Sequence, residues 1–419
     1  MIHRTTIVRK AHRMARSWLE IPAASGFGLS NLPYGVVTYA DTPRQLAVPV
    51  GRYVLPLGAA TEAGLFDGVV ADPYHLLAAD TLNPLMSAGP RAWHAVRTRI
   101  LDLFESRAHA AAVQPLLLPL PRVHHHLPFT VADYADFYSS RHHAENLGRI
   151  FRPDSAPLLP NWTHLPVGYH GRAGSVVVSG TPITRPHGQR IPPNDTEPVF
   201  GPTIRLDLEA EVGFIVGVPT RIGQIVPVDN FSDHVFGAVL VNDWSARDIQ
   251  AWEYQPLGPF LGKSFATSVS PWVVPLAALT EAHVAPPRQD PAPLPYLLGD
   301  HWGFDLRMRV ELNGTAISEP PFSTLYWTPA QQLAHLTSNG APLRTGDLFA
   351  SGTVSGPEPA QRGSLIELTG NGAYPLLLAD GSTRTFLADG DTVSISASAP
   401  GPAGARIDFG SVTGTVLSR

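Results

Sequence analysis

Residues 203–217 read TIRLDLEAEVGFIVG, and their alternation decides the fold class. Successive side chains of a strand point to opposite faces, so Ile204, Leu206, Leu208, Ala210 and Val212 fall on one face. Arg205, Asp207, Glu209 and Glu211 fall on the other. Short apolar or alternating runs recur along the chain, among them QLAVPVGRYVLPL at 45–57, GSVVVSG at 174–180, FDLRMRVELNG at 304–314 and GDTVSISAS at 390–398. With 42 prolines and 37 glycines distributed through the chain, these runs predict a mainly β protein with long connections and few helices. The best helical periodicity is RAWHAVRTRILDLFESRAHAAAV at 91–113. Before it, residues 17–85 carry short strands and turns suited to a small barrel. After it, the Pro-rich PLLLPLPRVHHHLPF leads into a larger β-rich body, which places a boundary near residue 128. The loop VAPPRQDPAPLP at 284–295 reads as a surface insertion, and no repeat of solenoid or propeller period is present.

Composition narrows the function classes. A net charge of -5 over 419 residues gives no general field for nucleic acid or anionic lipid, so an anionic ligand must be held by locally placed cations. The absence of cysteine removes disulfides, thiolate metal sites and thiol nucleophiles together, and is compatible with a reducing cytoplasm, where the chain is expected. No apolar run approaches the roughly 18 residues of a membrane span. The first eighteen residues hold five Arg or Lys and no acid; residues 1–16 are expected to be a poorly ordered basic extension, although a transit peptide has the same composition.

Three clusters could carry chemistry. Glu209 and Glu211 are neighbours on one strand face, which fits either a solvated sheet face or a pair of oxygen ligands for a hard divalent cation. The stretch VFGAVLVNDWSARDIQAWEY at 235–254 begins as a buried strand, turns at Asn242-Asp243 and continues as a helix, with Ser245 a plausible cap. On that helix Asp243, Arg247, Gln250 and Tyr254, four, three and four apart, share one face. Beyond it, GPFLGKS at 258–264 is one residue short of a phosphate-binding loop and lacks the strand-before, helix-after context. Lys263 is therefore better placed to face an oxyanion than a nucleotide. In DYADFYSSRHHAENLGRIFR at 133–152, a helical reading puts Asp136, Ser140 and His143 on one face, and histidine is the usual general base near neutral pH. The triplet His124, His125 and His126 lies in a Pro-flanked linker and reads as structural. No Gly-x-Ser-x-Gly elbow and no His-Glu-x-x-His zinc motif occurs, so a hydrolase reading requires water activated by histidine or metal.

The segments DFYSSRHHAENLGRIFR, LPVGYHGR, LDLEAEVGFIVG, VNDWSARDIQAWEYQPLGPFLGKSF, ASGTVSGPE and GSLIELT, in this order, resemble the fumarylacetoacetase family, over a span from about residue 31 to the C-terminus. The resemblance implies an N-terminal SH3-like barrel over 17–128 with its linker helix, a C-terminal β-roll domain over 129–419, and a homodimer. It implies hydrolysis of the carbon–carbon bond of 4-fumarylacetoacetate, the last step of tyrosine and phenylalanine breakdown. It further implies a divalent cation, Ca²⁺ or Mg²⁺ with Mn²⁺ an option, on Asp136, Glu209, Glu211 and Asp243, and a second, structural Mg²⁺ at Lys263 and Thr267. The family's base falls on His143, which keeps the family's distance from Asp136 and Tyr138 where the adjacent His142 does not, and its orienting carboxylate falls on Glu367. Arg247, Gln250 and Lys263 match residues that hold developing negative charge. Tyr138, Arg152, Tyr169, Tyr254 and Thr353 match substrate contacts. The rival readings are a related acylpyruvate hydrolase, decarboxylase or isomerase of the same superfamily, and a noncatalytic protein whose carboxylates serve only a structural metal.

Overall fold

The computed structural model describes residues 17–193 and 195–419; the basic extension at 1–16 lies outside them. Three sheets dominate. In the N-terminal part, five antiparallel strands run in the order Leu118–Pro119, Tyr53–Pro56, Gln45–Val50, Gly35–Thr38, His124–His126, so both edge strands come from the single segment 118–126. The histidine triplet is thereby a strand paired with Gly35–Thr38, and His125 packs edge-on against Trp272. Residues 57–85, read above as continuing the small barrel, carry instead the short helices Leu57–Glu62, Pro73–Leu77 and the start of Asn83–Ser87. The stretch LGAATEAGL that follows Pro56 is rich in alanine and holds a single β-branched residue, Thr61, so little in it favours a strand. The helix read at 91–113 is present as Pro90–Glu105, then breaks into short turns before resuming at Ala110–Val113.

The largest sheet places the site. Its path is Gly168–His170, Tyr134–Phe137, Leu348–Ala350, Ala210–Val216, Val235–Asp243, Thr267–Val269, Val176–Val178, with Val274–Pro275 also paired to Val235–Asp243. Strands Tyr134–Phe137 and Leu348–Ala350 run parallel, as do Thr267–Val269 and Val176–Val178; the pairs between are antiparallel. Val212, Phe214 and Leu240 point into a core shared with a five-stranded sheet built on Arg307–Leu312, Thr392–Pro400 and Arg406–Leu417. Ile215, Val239 and Val241 point into a second core shared with Val36, Leu46 and Ile100 of the N-terminal part. Both faces are covered, which is why every residue of Ala210–Val216 and Val235–Asp243 is buried. The molecule is mainly β with few helices. Among the described residues no helix is long and apolar enough to cross a membrane.

Candidate active site

The covered sheet overturns the solvated-face reading of residues 203–217. Asp207, Glu209 and Glu211 are all buried, while Ile204, assigned to the apolar face, is half exposed. Glu209 and Glu211 lie on the side of Ile215, and the facing strand ends in Asp243, on the side of Val241. The pairing is tight at that corner: the amide of Asp243 donates to the carbonyl of Glu209, and the Asn242 side chain accepts from the amide of Glu209. Asp136 arrives from the strand Tyr134–Phe137, where Gly352 permits close packing. Gly352 has φ +75°, and a β-carbon there would sit 2.1 Å from the carbonyl oxygen of Phe137.

Asp136, Glu209, Glu211 and Asp243 each present an oxygen within 4.8 Å of the others, all buried. Asp136 Oδ1 and both oxygens of Glu211 have no hydrogen-bond partner. Burial and the facing Asp243 push the Asp136 carboxyl well above its ordinary range, and burial with Asp136 and Glu209 does the same to Glu211. Orphaned, mutually repelling carboxylate oxygens are what a hard divalent cation compensates, so this donor set fits one. It fits Ca²⁺, Mg²⁺ and Mn²⁺ alike, since all accept carboxylate oxygen.

Two cations of the chain border the cluster. Lys263 Nζ bonds a Glu209 oxygen and lies 2.9 Å from Asp243 Oδ2. Arg247 Nη2 is 2.7 Å from Glu209 Oε1. Burial opposes ionisation of Glu209, yet Lys263 and Arg247 more than offset it and hold the carboxyl low; burial opposes the charge on Lys263, and Asp243 and Glu209 outweigh it. The turn Gly258–Ser264 can deliver Lys263 because Gly262 lies against the preceding helix Arg247–Glu253, where a β-carbon would come within 2.8 Å of the Gln250 amide nitrogen. Thr267 donates to Asp243 Oδ1, as Tyr169 does to Oδ2.

A second buried pair adjoins the acids. His143 Nδ1 is 2.7 Å from Glu367 Oε2. Glu367 also accepts from Asn146, Ser364 and Ser355. Burial would raise the Glu367 carboxyl, but His143, Asn146 and Ser364 hold it below the ordinary range. An Nδ1–H donated to this carboxylate leaves Nε2 as the basic nitrogen. His142 is not part of the pair; it lines a surface depression with Arg141 and Arg288. The Tyr138 ring packs edge-on against His143 at 5.3 Å.

Two helical placements read from the sequence do not hold. Asp136 sits on a strand, Ser140 caps the helix Arg141–Phe151, and only His143 of the three lies within it. Asp243 ends a strand, and the following helix spans only Arg247–Glu253 with no side-chain cap; the Ser245 hydroxyl donates instead to the Asp243 carbonyl. Arg247 and Gln250 still meet, Nη1 donating to Gln250 Oε1. Tyr254 lies outside the helix, 39% exposed, with its hydroxyl accepting from Gln255. Arg152 donates to the carbonyl of Pro157, and Thr353 is buried with its hydroxyl unpartnered. Asp207 was overlooked as a site residue. Its Oδ2 accepts from Arg247 Nε at 2.8 Å, and its two oxygens accept from the amides of Leu365 and Ile366, which start the turn carrying Glu367. The signal was its place on the face of Glu209; Asn146, three residues after His143, carried a similar one.

Residues 133–417 match the family model described as fumarylacetoacetate (FAA) hydrolase C-terminal, and residues 30–128 the one described as fumarylacetoacetase N-terminal. The chain belongs to the fumarylacetoacetase family. It is 47% identical over 415 residues to fumarylacetoacetase of Homo sapiens, covering 96% of this chain and 98% of that protein. With the enzyme of that name from Arabidopsis thaliana it shares 44% over 418 residues, covering 96% of this chain and 99% of that protein. The fold is also found in a solved fumarylacetoacetate hydrolase from psychrophilic Exiguobacterium antarcticum, with TM-score 0.55, 17% identity, and 93% of this chain and all of that one covered. Family membership makes this chain a hydrolase of carbon–carbon bonds.

Proposed function

We propose that the protein hydrolyses 4-fumarylacetoacetate to fumarate and acetoacetate. The observation that carries the reading is the buried His143–Glu367 pair beside a carboxylate cluster bordered by Lys263 and Arg247, in a chain aligned over nearly its whole length with enzymes named for this substrate. Asp136, Glu209, Glu211 and Asp243 would hold a divalent cation, which when bound supplies Lewis-acid polarisation of the diketone oxygens. His143, its tautomer fixed by Glu367, takes a proton from water at Nε2. The resulting hydroxide equivalent adds to the carbonyl next to the fumaryl group. The tetrahedral oxyanion collapses with rupture of the carbon–carbon bond, giving fumarate, and the departing carbanion takes up the proton to give acetoacetate. Lys263, Arg247 and Gln250 stabilise the negative charge that develops on these oxygens in a water-poor site. Tyr138, Arg152, Tyr169, Tyr254 and Thr353 contact the substrate, and a second, structural Mg²⁺ adjoins Lys263 and Thr267. In the same reading the five-stranded N-terminal sheet and its helices form an SH3-like domain over 17–128, residues 129–419 a β-roll catalytic domain, and the enzyme acts as a homodimer.

The test follows loss of the diketone absorbance of fumarylacetoacetate, before and after chelation and with each divalent ion restored. Metal-dependent formation of fumarate and acetoacetate is the expected result. Intact fumarylacetoacetate in every ion, with simpler acylpyruvates cleaved instead, would move the protein to another branch of the superfamily.

A further inference from the structure

Apart from the acid cluster, the described residues enclose a cavity of about 350 Å³ between the helix Pro90–Glu105 and the body of the protein. Its walls are aromatic and fixed. Trp93 donates its indole N–H to the carbonyls of Leu85 and Met86 and packs edge-on against Phe236 at 5.2 Å. Opposite, His283 stacks on Trp302 at 4.2 Å and meets Phe304 edge-on. Burial lowers the basicity of His283, more than the nearby Glu281 raises it.

Arg97 also lines this cavity, and its charge is not balanced. The guanidinium donates Nη1–H to the carbonyl of Asn31 at 2.6 Å and Nη2–H to that of Ser30 at 2.7 Å, which hold it in place without neutralising it. No carboxylate pairs with it among the described residues, residues 1–16 and 194 contain neither Asp nor Glu, and no acidic side chain lines the cavity. Arg97 is partly buried and carries no counter-charge, and arginine cannot shed its charge by losing a proton. The guanidinium fork is the protein group best matched to a carboxylate, and the volume lies in the range of small-molecule pockets.

We propose that this cavity is a binding site for a small planar carboxylate, its flat apolar body held between Trp93, Phe236 and Trp302 and its carboxylate on Arg97. The site is separate from the acid cluster and does not depend on the proposed reaction. Ala277 and Thr280 are exposed residues among its lining, so the chemistry outside can reach it.

The test is calorimetric titration of the full-length protein with trans-cinnamate and with its neutral counterpart cinnamamide. Saturable binding of cinnamate, at least about tenfold tighter than the amide, is expected, tenfold being what one charge contact of ordinary strength contributes. Arg97→Gln should remove the preference for the acid. Because Arg97 also holds two loop carbonyls, Ala277→Trp is the deciding variant: it fills the cavity from an exposed position and should weaken cinnamate binding at least tenfold with the melting temperature unchanged. His143→Ala should bind cinnamate as the wild type does. Equal affinity for acid and amide, unchanged cinnamate binding in Ala277→Trp, or absence of saturable binding at millimolar ligand would each overturn the proposal.

Discussion

Replacing Asp207 by Asn keeps its shape and removes its charge, and the geometry specifies the consequence. One oxygen accepts from Arg247 Nε at 2.8 Å and from the Ile366 amide at 3.1 Å; the other accepts from the amides of Leu365 and Leu208 at 2.7 and 2.8 Å. Whichever way the carboxamide is turned, its NH₂ meets two N–H donors. Breaking such a buried pair costs about 3–5 kcal/mol, within the 5–15 kcal/mol or so that a domain has to lose. With an unfolding entropy near 2.1 cal/mol/K per residue over 419 residues, or about 0.9 kcal/mol/K, the melting temperature should fall by about 3–6 °C. Catalysis should suffer more. Asp207 holds both Arg247 and the turn that presents Glu367, so a loosened Asp207 misplaces together the arm proposed to stabilise charge and the arm proposed to orient the base. Loss of one such preorganised group costs about 10²–10³ in kcat, with KM little changed. Steady-state kinetics on fumarylacetoacetate beside a thermal melt of the same sample measures both. A variant that melts lower as expected but turns over within about threefold of the wild type would show that Asp207 is structural only.

The other expectations are more direct. His143→Ala should abolish turnover and leave the affinity for a divalent cation, measured by calorimetry, nearly unchanged, because His143 contributes no oxygen to the cluster. Lys263→Met should also cut turnover, but it should tighten cation binding, since Lys263 occupies oxygens of Glu209 and Asp243 that a cation would use; weaker binding in the variant would refute that competition. Chelation should lower the melting temperature by about 3 °C, the loss of about 2.7 kcal/mol expected when a cation at a hundred times its Kd is withdrawn. Asp136 and Glu211 are raised by burial and repulsion, so in cation-free protein their penalty sets in as pH rises above the ordinary carboxylate value, and chelation should destabilise more at pH 8 than at pH 5. Glu367 has the opposite sign. Its depressed carboxyl contributes stability that is complete above the ordinary carboxylate range and is lost as pH falls through the depressed value, so Glu367→Gln should flatten the acid limb of a plot of melting temperature against pH.

Strand and helix types were legible where one element's own pattern decides them. The alternation at 203–217, the apolar run at 235–243 and the helix beginning at Pro90 needed no tertiary information. What failed was placement at element ends. Asp136 and Asp243 read as helical because helices follow them closely, yet pairing with Leu348–Ala350 and Thr267–Val269 respectively keeps both on strands. The burial of Glu209 and Glu211 was likewise set at a distance, by Val36, Leu46 and Ile100 covering one face and the sheet containing Thr392–Pro400 the other. A deduction was nevertheless available. VFGAVLVND is apolar at nearly every position, as a strand covered on both faces must be. A strand beside it in the same sheet shares both coverings, so its charged residues cannot reach solvent. Buried carboxylates at Asp207, Glu209 and Glu211 then require cations, either from the chain or bound by it. Arg247 meets the first, Arg247 and Lys263 the second, and neither reaches the two unpartnered oxygens of Glu211. That shortfall, more than the presence of four acids, argues that the site is built around a positive charge the chain does not itself supply.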